Sequence, residues 1–106
     1  MNWTELKSLQ DLEFLWENSF KVHQYIFKHS PRCGISRMVL KSVEKSASHL
    51  DQEIFILDVV ENRPISNEIE IRSGIKHESP QLIIIYKGLI VYSESHEKIQ
   101  FKLYES

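Results

Sequence analysis

The side chain in this 106-residue sequence most able to do chemistry is Cys33, its single cysteine. One cysteine cannot close an internal disulfide, so its exchange chemistry has to run through mixed disulfides with other molecules. It follows the basic, proline-bearing stretch Phe27-Lys28-His29-Ser30-Pro31-Arg32 and opens Cys33-Gly34-Ile35-Ser36, with a serine where dithiol oxidoreductases carry a second cysteine. A monothiol of this kind attacks a disulfide and accepts a small thiol, which another thiol must then release. The five histidines match no zinc spacing, so no metal site is expected.

Composition narrows the classes. A formal net charge of −2 with 26% charged residues lacks the concentrated basic footprint of a nucleic-acid binder. Met1 to Gln10 mixes Trp3, Glu5 and Lys7 with apolar residues, unlike a signal peptide. The longest apolar run, Leu82 to Ile85, falls far short of a membrane span, so the expectation is a cytoplasmic protein without membrane contact. No repeat or linker divides the chain, and residues 1–106 are read as one domain.

The elements that must position Cys33 follow from apolar spacing. Leu9, Leu12, Leu15 and Trp16, with Ser8 and Asp11 as a capping pair, predict a helix over about 9–19. Trp3, Phe14 and Trp16 are expected in the core. Val22 to Lys28 reads as an inner strand, and Ile35, Val39, Leu40 and Val43 share one face of a helix beginning at Cys33. The apolar run Glu53 to Val60 reads as a central strand, and Pro64 to Gly74 as a third helix between a proline start and a glycine stop. Gln81 to Tyr86 and Leu89 to Ser93 predict a hairpin across Lys87-Gly88. Ile99, Phe101 or Lys102 and Leu103 suggest a last helix after Ser95.

This order is that of an α/β, thioredoxin-like domain: a four-stranded mixed sheet flanked by helices on both faces. It sets Cys33 at a helix start beyond a strand's carboxyl end, where the helix dipole and free N–H groups favour thiolate over thiol. Arg32 and Lys28 add positive charge, and Ser36 can offer its hydroxyl or N–H to the sulfur. In such a fold the proline before the third strand is cis and leaves backbone free to pair with substrate, so Ser79-Pro80 is expected to face Cys33. His29, His77 and His96 fall near the same edge and could bind a substrate carboxylate or tune the sulfur, whereas His23 and His49 read as structural or exposed.

Lys28-His29-Ser30 before Cys33-Gly34-Ile35-Ser36, then His77-Glu78-Ser79-Pro80-Gln81, then Ser95-His96 with Ile99, together resemble the monothiol bacilliredoxins, the YtxJ-like thioredoxin-fold proteins of the bacillithiol system. The resemblance runs over nearly the whole chain. It implies that Cys33 removes bacillithiol from thiolated proteins or small-molecule disulfides and carries it transiently. The small thiol would be a co-substrate, with no bound cofactor, and Pro80 would pair with the substrate. Arg32 stands where the family usually has a small polar residue, and Gly34 where proline is common. Gly34 also makes the tetrad similar to the Cys-Gly-Phe-Ser of monothiol glutaredoxins, which bind an iron-sulfur cluster with glutathione. The small thiol is therefore open between bacillithiol, glutathione and others, and so is the oligomeric state. Two rival functions remain: an iron-sulfur carrier, and a redox-inactive adaptor that uses only the Pro80 edge.

Overall fold

The computed structural model of the protein describes residues 1–101. Along the chain run β1 (Asn2–Glu5), α1 (Leu9–Asn18), β2 (Gln24–His29), α2 (Gly34–Ala47), β3 (Glu53–Asp58), α3 (Arg63–Ser73), β4 (Gln81–Tyr86), β5 (Leu89–Ser95) and a 3-10 turn at His96–Lys98. The strands form one sheet in the order β1-β3-β2-β4-β5. Strands β1 and β2 run parallel to β3, whereas β4 is antiparallel to β2 and to β5.

Alternation along the central strands feeds two cores. Ile26, Leu57, Ile83 and Ile85 pack with Leu12 and Leu15 of α1 and Ile65 and Ile69 of α3. On the other face Tyr25, Phe27, Ile54, Leu82 and Ile84 meet Val39 and Val43 of α2. Every residue from Ile83 to Ile85 is buried because both faces of β4 are covered. No described helix is long and apolar enough to cross a membrane.

Local chemistry sets the element ends. The Ser8 hydroxyl accepts from the Asp11 backbone N–H at 3.0 Å, and the Asp11 carboxylate accepts from Lys7 N–H at 3.1 Å, satisfying two donors at the start of α1. Pro64 lies in the first turn of α3, and Gly74 ends that helix in the left-handed region at φ 72°. Lys87 and Gly88 both take positive φ, 53° and 75°, as a tight antiparallel hairpin requires. The turn is tied to the end of α1, since Lys87 N–H donates to the Ser19 carbonyl at 2.7 Å and Gly88 N–H to the Ser19 hydroxyl at 3.0 Å.

Four features differ from expectation. The sheet has five strands rather than four, because the short, half-exposed Asn2–Glu5 adds itself to the edge of β3 through non-local pairing. The expected last helix is instead a 3-10 turn followed by extended chain at Ile99. Ile99 and Phe101 both pack on the α2-side core, which the period of two achieves without a helix; Lys102 and Leu103 lie outside the described residues. Phe14 is 63% exposed on the outer side of α1, whereas Trp3 and Trp16 are partly buried. Finally, Ile35 is 42% exposed and the buried stripe of α2 begins at Ser36, continuing through Val39, Val43 and Ala47.

Candidate functional site

Cys33 sits where β2 has ended and α2 begins. It is the N-cap of the helix, with extended φ −97° and ψ 122°, and its thiol makes no capping hydrogen bond. Its N–H donates to the Ser30 carbonyl at 3.0 Å, while its carbonyl accepts the first helical bond from Arg37 N–H at 3.1 Å. Cys33, a partly exposed free cysteine, is thereby held by backbone on both sides. The unsatisfied N–H groups of the first turn lie at the end of a helix that tolerates negative charge. Arg37 closes the loop from the other side, donating from Nη1 to the Pro31 carbonyl at 2.9 Å. Arg32 and Gly34 are exposed on either side of the cysteine.

Ser36 is buried and turned inward. Its hydroxyl accepts from Ser30 N–H at 3.1 Å and lies 2.7 Å from His29 Nδ1. The serine in the resolving position therefore staples the cysteine loop to the helix, with its hydroxyl engaged by these two groups. His29 is buried at the end of β2, and its pKa is lowered chiefly by burial, with Asp58 opposing and Arg37 adding to the fall. It acts through the loop, as a neutral partner of Ser36.

Pro80 stands at the head of β4, and the Ser79-Pro80 peptide bond is cis. The register pairs Lys28 with Gln81, which sets Pro80 level with the end of β2, the end from which the chain proceeds to Cys33. The Pro80 carbonyl accepts from His96 N–H at 2.9 Å, so Ser95 and His96 brace this turn from the end of β5. Glu78 is partly exposed, and a hydrogen bond from Ser95 is the leading cause of its lowered pKa.

Lys28 is placed differently from what its sequence position suggests. It belongs to the opposite sheet face from His29, is fully buried, and directs Nζ to His77 Nδ1 at 3.4 Å and the Ser66 carbonyl at 3.5 Å. Its pKa falls from 10.5 to about 8, principally through burial. Ser66 and Gln81 join it in this polar cluster, and sequence reading gave no role to either. Their signal was present: both stand at positions where helical or alternating spacing demands burial.

A cavity of about 390 Å³ adjoins Pro31 and is lined by Glu5, Lys7, His29, Asp58 and Glu61 among others. No group of three or more His, Cys, Asp or Glu among the described residues could hold a metal ion.

A solved structure described as having a thioredoxin fold superposes with TM-score 0.82 at 28% identity, covering 92% of this chain and 85% of its own. Thioredoxin from Fasciola hepatica gives TM-score 0.68 at 22% identity, over 91% of this chain and 86% of that one. The thioredoxin NaTrxh from Nicotiana alata gives 0.72 at 14% identity, over 92% and 83%. Fold and thiol together define the class, a thiol-redox protein of the thioredoxin fold that works with one cysteine. Within that class, the family model described as Monothiol bacilliredoxin BrxC matches residues 4–103. The chain belongs to the monothiol bacilliredoxin family.

Proposed function

We propose that the protein is a monothiol oxidoreductase that removes bacillithiol from mixed disulfides on proteins or small molecules in the cytoplasm. The observation that carries this reading is the half-exposed Cys33 at the N-cap of α2, in a chain without a second cysteine and with Ser36 turned away into the loop. The Cys33 thiolate attacks the bacillithiol sulfur of the mixed disulfide. A new S–S bond forms to Cys33 as the old one breaks, and the substrate leaves as its thiolate. A second small thiol then attacks the bound bacillithiol sulfur, releasing an oxidised small-thiol disulfide and restoring Cys33.

Each expected site residue has a part in this reading. Ser79, ahead of the cis Pro80, offers its backbone for an extended substrate to pair with, while His96 N–H holds the Pro80 carbonyl and Ser95 bonds the Glu78 side chain of the same turn. Arg32 and Gly34 flank the sulfur, where a small thiol with acidic groups would lie. Ser36 and His29 keep the loop in place, and His77 anchors the approach to Pro80.

The test is intact mass after incubation with oxidised bacillithiol and, separately, oxidised glutathione, for wild type and Cys33→Ser. The expected result is one bacillithiol adduct on wild type, formed much faster than the glutathione adduct, and none on the variant. No adduct with either disulfide overturns the proposal in favour of an adaptor role. A faster glutathione adduct reassigns the small thiol.

A further inference from the structure

Beneath the turn that carries Pro80 lies a buried polar cluster to which the exchange chemistry above assigns no step. A lysine is among the residues least often buried, because its charge must leave water. Here Lys28 is fully buried, with Nζ 3.4 Å from His77 Nδ1. The hydroxyl of Ser66, itself without exposure, lies 2.8 Å from the same nitrogen. Gln81, opposite Lys28 in the sheet, is 2% exposed; its Nε2 donates to the Lys76 carbonyl at 3.1 Å, and its Oε1 is buried without a partner. Strand β2, helix α3 and the loop before β4 thus converge on one imidazole nitrogen.

The donor inventory fixes what that nitrogen must be. An ammonium group has only protons to offer, so the nitrogen facing it presents a lone pair. That single lone pair takes the Ser66 hydroxyl at 2.8 Å as its main donor and shares the longer ammonium contact at 3.4 Å, and the ring's proton resides on Nε2. The charged groups around the imidazole are Lys28 from β2, Arg63 and Glu70 from α3, and Glu78 from its own loop. Burial, with Lys28 and Arg63, pushes the His77 pKa below its ordinary value, and the two glutamates oppose this. The His77 backbone N–H donates to the Glu70 carboxylate at 2.9 Å, so main chain and ring are both tied down three residues before Pro80.

We propose that Lys28 is a positioning residue for thiol exchange: with Ser66 it pins His77 as the Nε2–H tautomer and so fixes the Glu78-Ser79-Pro80 turn against β2 and α3. This deepens the exchange reading of Cys33 and rests on it. Lys28 touches neither the sulfur nor the small thiol. Its effect falls on how the turn receives the substrate.

Two measurements test this on the full chain. Long-range proton-nitrogen NMR of the histidine-labelled protein should show His77 as the Nε2–H form, still neutral at a pH where an exposed histidine is half protonated. In Lys28→Met, His77 should titrate closer to the ordinary value of about 6.5. In turnover of a peptide carrying a bacillithiol mixed disulfide, Lys28→Met and Ser66→Ala should each raise KM at least fivefold and leave kcat within twofold. Their rates of Cys33 alkylation by iodoacetamide should equal that of wild type. An Nδ1–H tautomer in wild type, or an unchanged KM in both variants, overturns the proposal; Ser66→Ala decides it if Lys28→Met fails to fold. A wild-type chain that does not turn over the peptide sinks the exchange reading instead, and the tautomer then decides whether the anchor exists.

Discussion

Replacing Lys28 by methionine removes a buried charge while keeping a long, flexible, apolar stem in the same space, so its effect on stability can be worked out with its sign. In the folded chain the pKa falls from 10.5 to about 8, mainly because burial disfavours the ammonium, with Glu70 opposing and Arg63 assisting. Since the unfolded chain holds this proton more tightly, the wild-type fold carries the full penalty below pH 8. Between about pH 8 and pH 10.5 the folded chain has released a proton that the unfolded chain still binds, so the lysine's contribution to stability rises with pH. At about 1.4 kcal/mol per pH unit the whole difference is about 3 kcal/mol. Against it stand the two Nζ contacts, which at 3.4 and 3.5 Å are long and individually weak. When the lysine is gone His77 Nδ1 still has the Ser66 hydroxyl, so no buried acceptor is left unpaired, although the ring loses one of its two holds. Lys28→Met should therefore be more stable than wild type at pH 7, by about 1–3 kcal/mol. The gap should close as the pH approaches 10.5. Urea unfolding of both proteins at half-unit steps from pH 6.5 upward measures this directly. A variant less stable than wild type at neutral pH, or a difference that does not change with pH, would refute the argument.

Two further substitutions probe the cysteine loop. Ser36→Ala strips the partner from Ser30 N–H and His29 Nδ1, both held at the base of the loop, and should lower stability by about 1–3 kcal/mol in the same unfolding assay. A loss below about 0.5 kcal/mol would show that the staple is not needed. Gly34→Pro should fold normally and gain about 0.4–1 kcal/mol through a stiffer unfolded chain. Proline suits the first position of a helix, Cys33 is already extended as a residue before proline must be, and a Cβ at Gly34 would meet nothing closer than Arg37 Nη2 at 3.8 Å. A destabilised Gly34→Pro would mean that the Gly34 N–H or its freedom of movement is needed.

The order of the central elements was legible in the sequence because β2, β3, β4 and the apolar faces of α1 and α2 are written in strong local periodicities. The cysteine at the start of α2 and the proline at the head of β4 follow from that order. What escaped depends on contacts between distant parts of the chain. Strand β1 is four half-exposed residues with no apolar run, and its existence is decided by the free edge of β3. The last apolar residues fit a period of two as well as a helical one, and the uncovered core beneath them selects the extended form. At the site, Ser36 stands three and seven residues before Val39 and Val43, the spacing of a buried stripe, yet as a polar residue it reads as a ligand to the sulfur. Lys28 reads as a charge beside Cys33 until strand alternation is followed: one residue along from His29, it must face the other layer. The partners that make its burial tolerable, Ser66 and His77, come from 38 and 49 positions away.

The solitary thiol at the head of α2 also makes the protein a stoichiometric counter. Thiol-specific chemistry can add at most one group to each chain, so occupancy reads directly as a fraction of molecules, without mapping of sites. Oxidation can join two chains but never a third, which caps covalent assembly at a pair. The same property lets a fluorophore or spin label be placed beside the reacting edge of the natural sequence with no background from a second cysteine, so that substrate approach can be watched from the position of the sulfur itself.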